Sequence, residues 1–114
     1  MEGCIFCKIV AGDIPSKRVY EDEHCLAFHD LHPQAPVHVL IIPKRHASGL
    51  NALDALPDAV LAACLRAAEK VAQLTGIADT GYRVLTNVGE HGCQSVHHLH
   101  FHVLGGRQLP DRMA

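Results

Sequence analysis

Three histidines alternate with apolar residues near the end of the chain, and their type and spacing suit chemistry best. The segment reads His98-Leu99-His100-Phe101-His102-Val103-Leu104. Because strand side chains alternate faces with a period of two, a strand here would place the three imidazoles on one surface and Leu99, Phe101 and Val103 in the core. Burying three titratable rings side by side is costly unless a metal, a phosphate or a reaction needs them. The pattern therefore indicates a functional site.

Cys4 and Cys7 form a Cys-x-x-Cys pair that is a metal half-site, a redox pair or two buried small apolar residues. Only three residues precede Cys4, which disfavours a thioredoxin-like motif because that motif follows a strand. Two thiolates at this spacing hold one edge of a zinc tetrahedron, and a closed site needs two further ligands. The odd total of five cysteines fits thiols or metal ligands better than a disulfide framework.

Two further features leave alternatives open. Residues 89–96 contain two glycines and a serine directly before the histidines, so their backbone N–H groups could curl around an anion, or the segment could be an ordinary flexible loop. Asp30, taken by itself, is typical of an Asx-type turn before Leu31, His32 and Pro33.

Composition limits the function classes. The chain has 114 residues, 48% apolar and 19% charged, which is typical of a single globular domain spanning residues 1–114. Its net charge of -2 provides no basic surface for nucleic acid or membranes, so small ligands are favoured. No apolar run approaches a membrane span, and the acidic start at Met1 and Glu2 does not resemble a signal peptide. We therefore expect a cytoplasmic protein.

The elements that must position these residues form an α+β pattern. One long helix begins at Pro57, with Asp58 at its positive end, and Gly76 ends it. Its predicted core face is Leu61, Cys64, Leu65, Ala68 and Val71, whereas Val60, Ala67 and Leu74 would face a second subunit. A short helix is expected at residues 6–11, and about five mostly antiparallel strands at 18–21, 24–29, 38–43, 81–88 and 98–104, the third of them central.

The histidine segment resembles the His-φ-His-φ-His-φ-φ pattern of the histidine-triad (HIT) superfamily. Residues 92–107 look like its histidine-triad nucleotide-binding (Hint) branch, and the likeness extends over nearly the whole chain. It includes Cys4-Ile5-Phe6-Cys7-Lys8-Ile9, Ala27-Phe28-His29-Asp30, Ile42-Pro43-Lys44-Arg45-His46 and Leu104-Gly105-Gly106-Arg107. The resemblance implies a HIT-like fold, a homodimer and a purine nucleoside phosphoramidase of the zinc-bearing bacterial type.

The resemblance also implies a metal site. Zinc-bearing members take one ligand from the Pro-x-x-His segment and one from the first histidine of the triad. Carried over, the ligands of one structural zinc per subunit are Cys4, Cys7, His46 and His98. Some members lack these cysteines and fold without metal, so packed thiols remain the alternative.

The nucleotide site follows from the same likeness. The middle histidine, His100, would attack the α-phosphorus of a purine nucleoside 5′-monophosphate derivative and form a nucleotidyl-histidine that water hydrolyses. His102 would stabilise the transition state, and Ser95 would donate a proton or hydrogen bond to the leaving group. Asp30 would accept both ribose hydroxyls, and Ile5, Phe6 and Ile9 would be apolar walls. The nucleotide-binding residues implied are Phe28, His29, Asp30, Asn87, Gln94, Ser95, Val96, His100 and His102.

Three rival functions are compatible with the sequence. They are a dinucleoside polyphosphate hydrolase of a neighbouring HIT branch, a non-enzymatic zinc-binding interaction module, and an iron or copper enzyme with three histidine ligands. The last is disfavoured because alternate strand side chains lie about 6.5 to 7 Å apart, too far for three bonds of about 2 Å to one ion. His97 replaces an aromatic residue of many relatives and Cys93 a frequent glycine. The residues after Arg107 lack a tryptophan found in some relatives, which leaves leaving-group preference open.

Overall fold

A computed structural model describes residues 3–114 of the chain, so Met1 and Glu2, which the signal-peptide expectation used, lie outside the described residues. Two α-helices and five strands appear in the order predicted, together with a 3-10 helix at Leu50–Ala55 that was not. The elements are α1 at Ile5–Ala11, β1 at Arg18–Glu21, β2 at Cys25–His29, β3 at Val37–Pro43, α2 at Asp58–Thr75, β4 at Tyr82–Leu85 and β5 at Phe101–Gly105.

The strands form one antiparallel sheet in the order β1-β2-β3-β5-β4. β3 is central, as its apolar character on both faces predicted. Its register places Leu40 opposite His102 and Ile41 opposite Phe101. The last histidine of the triad therefore lies on the middle of the sheet, beside a fully paired strand.

Each face of the sheet supports its own core. On one face α2 packs against β2, β3 and β5, and this core includes Cys25, Val39, Cys64, Val71 and Val103. On the other face α1 packs in a second core of Phe6, Ile9, Leu26, Phe28, Leu40 and Ile42. Cys64 is buried in the first core, as predicted. The histidine rings lie on the α1 face, because Phe6 makes edge contacts with the rings of both His98 and His100.

The helix ends follow the sequence closely. Gly12 and Gly76 adopt left-handed backbone conformations with φ of 85° and 79° and end α1 and α2. Pro57 is the N-cap of α2 rather than its first helical residue. At the start of α1, the Cys4 thiol accepts a hydrogen bond from the Cys7 N–H, which brings the two cysteines together.

Two predicted faces of α2 need correction. Leu65, expected in the core, is 61% exposed, and Val60 and Ala67, expected to face a second subunit, are buried in their own domain. Val60 packs with Leu56 and Leu99 in a small core below the 3-10 helix, which the helical pattern could not show. Leu74 alone of the predicted outer set is exposed.

The predicted strand bounds also change around the triad. β5 begins at Phe101 rather than at residue 98, and β4 ends at Leu85 rather than at residue 88. The reason lies in backbone partners outside the ladder, because the Leu99 N–H donates to the Ala47 carbonyl at 2.6 Å and the Thr86 hydroxyl donates to the His100 carbonyl at 2.7 Å. No helix among residues 3–114 is long and apolar enough to cross a membrane.

Candidate active site

A backbone carbonyl determines which ring nitrogen of His100 is free. Its Nδ1 lies 2.7 Å from the carbonyl oxygen of His98, and because a carbonyl only accepts, Nδ1 carries the proton and donates it. The lone pair of the neutral ring is then on Nε2. The side chain is buried, so this nitrogen is held in one orientation. An imidazole of this kind can attack phosphorus without first losing a proton.

A second histidine, His38, determines the tautomer of His102. The Gln34 N–H donates to Nδ1 of His38 at 3.0 Å, so neutral His38 carries its proton on Nε2. That nitrogen lies 2.8 Å from Nδ1 of His102 and donates to it. Neutral His102 therefore carries its own proton on Nε2, which is buried and has no hydrogen-bond partner in the described chain. His102 thus presents an unused donor.

Asp30 is placed at the end of β2 with both carboxylate oxygens partly engaged. Oδ1 accepts the His32 N–H at 2.8 Å, which is the Asx-type turn expected from the residues alone. Oδ2 lies 3.4 Å from Nε2 of His38. The carboxylate therefore completes a group of three polar side chains, Asp30, His38 and His102.

Burial keeps these histidines neutral. Burial lowers the pKa of His38, against the opposing effect of the Asp30 charge, and it also lowers the pKa of His100. Burial, followed by the neighbouring His100 and His38, lowers the pKa of His102 to about 4. At neutral pH both rings are therefore uncharged, with a lone pair on Nε2 of His100 and a proton on Nε2 of His102.

A cavity of about 320 Å³ opens beside these rings and continues between α1 and β2. This volume lies within the range of small-ligand sites. The segment that leads into β5 and the strand itself contribute Ser95, Val96, His100 and His102 to the wall. The remaining wall is Ile5, Phe6, Ile9, Ile14, Pro15, Ser16, Lys17, Phe28, His29, Asp30, Leu31, His32 and Leu40. A more open depression of about 760 Å³ between α2 and residues 106–109 is lined by no histidine, cysteine or acidic side chain.

Most residues predicted to bind nucleotide line this cavity, but Asn87 and Gln94 do not. The Gln94 side chain supports its loop instead, because Nε2 donates to the Ser48 and Val96 carbonyls at 2.6 and 3.0 Å and Oε1 accepts the Gly89 N–H at 3.0 Å. Asn87 follows β4, and its implied role in nucleotide binding stays a prediction.

The loop before the triad is tightly wound. Cys93 has a φ of 58°, the only non-glycine residue of the described chain with a positive φ. A Cβ at Gly92 would lie 2.5 Å from the Val88 carbonyl oxygen, so this position admits only glycine. The Cys93 and Gln94 N–H groups donate to the Glu90 and Gly89 carbonyls within the loop. The part of the loop that reaches the cavity is Ser95 and Val96, at its end.

The four predicted metal ligands lie together. Cys4 Sγ lies 3.3 Å and Cys7 Sγ 3.5 Å from Nδ1 of His98, whereas Nδ1 of His46 lies 3.4 Å from Cys7 Sγ and 3.2 Å from Nδ1 of His98. Tetrahedral zinc with Zn–S of about 2.3 Å and Zn–N of about 2.0 to 2.1 Å has S···N and N···N edges of about 3.3 to 3.6 Å. The four donor atoms therefore fit a Cys2His2 metal site.

The backbone also orients the histidine ligand of that cluster. Nε2 of His98 donates to the Pro43 carbonyl at 2.9 Å, so the lone pair of the neutral ring is on Nδ1, directed at the thiols. A carbonyl partner of this kind is typical of metal-binding histidines. Alternate histidines of one segment therefore have opposite tautomers, His98 with a free Nδ1 and His100 with a free Nε2.

His38 and Ser16 had no role predicted from the sequence. The available signal for His38 was its position inside the apolar run of residues 37–42. A lone polar ring in a central strand requires a hydrogen-bond partner. Nothing in the sequence distinguishes Ser16 from other loop serines. Its place in the cavity wall comes from the turn between α1 and β1.

The antiparallel sheet, with alternating histidines leading into its fifth strand, defines a protein of the histidine-triad class. The HIT domain matches residues 11–109, so the chain belongs to the HIT domain family. It is 47% identical to a 13.2 kDa HIT-like protein of Azospirillum brasilense over 106 residues, which cover 92% of this chain and 87% of that protein. It is 43% identical to the purine nucleoside phosphoramidase of Escherichia coli K12 over 113 residues, which cover 99% and 95% of the two chains.

Solved structures show the same fold. The chain matches a HIT family hydrolase from Clostridium thermocellum with a TM-score of 0.95 and 44% identity, over 100% of this chain and 99% of that one. A histidine triad protein from Clostridium difficile matches with a TM-score of 0.91 and 43% identity, over 98% and 97% of the two chains. The predicted α+β fold of HIT type is confirmed.

Proposed function

We propose that the protein hydrolyses purine nucleoside 5′-phosphoramidates, such as AMP-amine or AMP-lysine conjugates, through a nucleotidyl-His100 intermediate. The observation that carries the proposal is the tautomer of His100, whose Nδ1–H is held by the His98 carbonyl at 2.7 Å and whose Nε2 is left as a nucleophile in a ligand-sized cavity. The Escherichia coli relative named purine nucleoside phosphoramidase supports this choice of substrate.

The first step forms one bond and breaks one. Nε2 of His100 attacks the α-phosphorus, the bond from phosphorus to the amine nitrogen breaks, and the amine leaves with a proton supplied through the Ser95 hydroxyl. The positive charge of the phosphorylated imidazole is stabilised by the hydrogen bond from Nδ1 to the His98 carbonyl. In the second step water attacks phosphorus, the bond to Nε2 breaks, and the proton of water replaces the one that the amine removed.

The remaining polar groups at this end of the cavity bind the phosphate. The Nε2–H of His102 has no other partner in the described chain, and Ser95 and Val96 place backbone next to it. Donors held in advance where negative charge develops stabilise the transition state without reorganisation. His38 acts as a positioning residue, because it determines which nitrogen of His102 carries the proton.

The nucleoside occupies the rest of the cavity. Asp30 accepts hydrogen bonds from the ribose hydroxyls, and His29 lies beside it. Phe6, Ile9 and Phe28 contact the faces of the purine, for which apolar side chains are suited. This orientation places the phosphate at the histidines and the base against α1.

We also propose a structural zinc held by Cys4, Cys7, His46 and His98. When bound, the ion supplies a fixed cross-link and no chemistry at phosphorus. It joins the start of α1, which lines the cavity, to the residue two positions before His100. The chain's own contacts already draw these four residues together, so the metal secures a geometry that the fold prepares.

Homodimerisation is the third part of the proposal. β4 is an edge strand with Tyr82 and Val84 exposed, and Leu65 and Leu74 are exposed on α2. Unpaired strand edges and exposed apolar side chains favour association with a second copy. Sedimentation equilibrium of the wild-type chain at micromolar concentration tests for the dimer. A mass equal to that of the monomer would contradict homodimerisation.

A comparison of two substrates separates the proposal from its rivals. We expect kcat/KM for adenosine 5′-phosphoramidate to exceed that for a diadenosine polyphosphate by at least about tenfold, since a difference of about 1.4 kcal/mol in transition-state binding suffices. The reverse order would favour the neighbouring HIT branch. Turnover of neither substrate by a protein that still binds zinc would favour the non-enzymatic module.

A further inference from the structure

Two buried polar side-chain atoms in the described part of the chain have no hydrogen-bond partner, and both belong to residues that line the same cavity. They are Nε2 of His102 and Oγ of Ser16. A buried polar group without a partner destabilises the folded state, so such groups are rare and each one requires an explanation. The proposed phosphate site explains His102 but not Ser16.

Ser16 belongs to another part of the cavity wall. It lies in the turn that leads into β1, and β2 and β3 separate β1 from β5, the strand of His102. The neighbouring Lys17 carbonyl accepts the His29 N–H at 3.0 Å, which holds this turn against the end of β2. A serine hydroxyl moves between three staggered rotamers, so it can turn toward a ligand while the backbone stays fixed.

The apolar side chains around the cavity suit the faces of a purine but leave its polar edge without a partner. Phe6, Ile9 and Phe28 contribute only carbon atoms from their side chains. A purine that binds against these side chains loses the water hydrogen-bonded to its exocyclic group. This loss is costly unless the protein provides a replacement hydrogen bond. A buried hydroxyl without a partner can supply that replacement.

We propose that Ser16 is a specificity-determining residue whose hydroxyl hydrogen-bonds to the exocyclic amino or carbonyl group of the purine. A hydroxyl accepts from the amino group of adenine and donates to the carbonyl of guanine, so one residue serves both bases. The inference rests on the proposed function for the direction in which the nucleotide lies. It adds that the protein discriminates against purines without an exocyclic group, because such a base leaves Ser16 without a partner.

Calorimetric binding of three monophosphates tests this without turnover. The ligands are AMP, GMP and purine riboside 5′-monophosphate, which lacks an exocyclic group. We expect Ser16→Ala to weaken AMP and GMP about 3- to 10-fold and purine riboside monophosphate less than about 2-fold, since a neutral hydrogen bond contributes a free energy of this size. Equal changes for all three ligands, or no change for any, would overturn the role of Ser16.

Two controls exclude a merely structural effect. Ser48→Ala removes an exposed hydroxyl outside the cavity and retains the carbonyl that Gln94 contacts, so binding of all three ligands should be unchanged. Ser16→Ala should leave the melting temperature unchanged or raise it, because it removes an unsatisfied hydroxyl. A lower melting temperature together with equal losses for all ligands would assign Ser16 to folding and contradict the proposal.

Hydrolysis assays keep this inference apart from the proposed function. Wild-type protein that cleaves phosphoramidates while Ser16→Ala weakens all three monophosphates equally would overturn only the role of Ser16. Base-dependent losses in a protein that cleaves no phosphoramidate would overturn only the proposed activity.

Discussion

His98, His100 and His102 have the same spacing but different hydrogen-bond environments. The Pro43 carbonyl accepts from Nε2 of His98, the His98 carbonyl accepts from Nδ1 of His100, and His38 donates to Nδ1 of His102. The sequence predicted that the three rings would lie on one surface. It could not predict their tautomers, because the partners of His98 and His102 are 55 and 64 residues away along the chain.

The role of His38 can be tested by substitution. His38→Leu removes the donor that keeps the His102 proton on Nε2, and we expect kcat to fall about 10- to 100-fold, since loss of a whole transition-state donor costs about 10²- to 10³-fold. His38→Gln retains an N–H donor and should recover part of the rate. Steady-state kinetics with adenosine 5′-phosphoramidate measures both variants. Equal rates for His38→Leu and the wild type would show that His102 needs no positioning.

Periodic patterns in the sequence predicted the helices and strands that depend on local residue spacing. The central position of β3, the α1 and α2 helices and their glycine ends follow from apolar spacing and backbone preference. The late start of β5 does not, because Leu99 pairs with Ala47 in a loop whose position depends on the whole fold. The 3-10 helix at Leu50–Ala55 was not predicted either.

The loop before the triad contains a strained residue. Cys93 has a φ of 58°, a conformation in which a residue with a Cβ is disfavoured by about 1 to 2 kcal/mol. We expect Cys93→Gly to raise the free energy of unfolding by up to about 1 kcal/mol, because relief of strain outweighs the added freedom of the unfolded chain. Urea denaturation measures the change.

The neighbouring His91 offers a matched control for that substitution. It is exposed in the same loop and does not share the positive φ, so His91→Gly should lower stability by several tenths of a kcal/mol. Stabilisation by both glycines, or by neither, would show that backbone strain at Cys93 is not the cause.

The proposed metal site joins α1 to two loop residues, His46 and His98, so loss of its thiols should lower both zinc content and stability. We expect about one zinc per wild-type chain and none in the Cys4→Ser, Cys7→Ser double variant, by elemental analysis. Free zinc at 100 times its Kd should stabilise the wild type by about 2.7 kcal/mol and leave the double variant unaffected. Cys93→Ser is the control, because Cys93 is exposed and outside the cluster. Full zinc occupancy in the double variant would exclude these ligands.

The two larger cores lie on opposite faces of one sheet, and only the α1 face contains the candidate site. The sequence predicted one α+β domain from its alternating and helical patterns. It placed Leu65 inside and Val60 outside, because a helix with a broad apolar surface does not show which side meets the sheet. This arrangement buries several histidines in their neutral form.

That burial makes stability depend on pH. The pKa of His102 is about 4 in the folded protein and near its ordinary value of 6.5 in the unfolded chain. Between these values the unfolded chain binds more protons, so the free energy of unfolding is highest above pH 6.5 and falls as the pH drops toward 4. One such group contributes at most about 1.4 kcal/mol per pH unit.

A variant isolates this contribution. His102→Gln cannot be protonated, so urea denaturation at pH 7, 6 and 5, at constant free zinc, should show a smaller loss of stability per pH unit than in the wild type. Identical slopes for the two proteins would mean that His102 is not buried as a neutral ring.

The central claim is that His100 forms a bond to phosphorus, and mass spectrometry of the intermediate tests it most directly. Wild-type protein mixed with adenosine 5′-phosphoramidate and quenched at alkaline pH within a single turnover should have adenylate on the peptide that contains His100. His97→Ala, which changes an exposed neighbour, should retain the adduct, and His100→Ala should lose both the adduct and turnover. Adenylate on another residue, or full turnover by His100→Ala, would contradict the account.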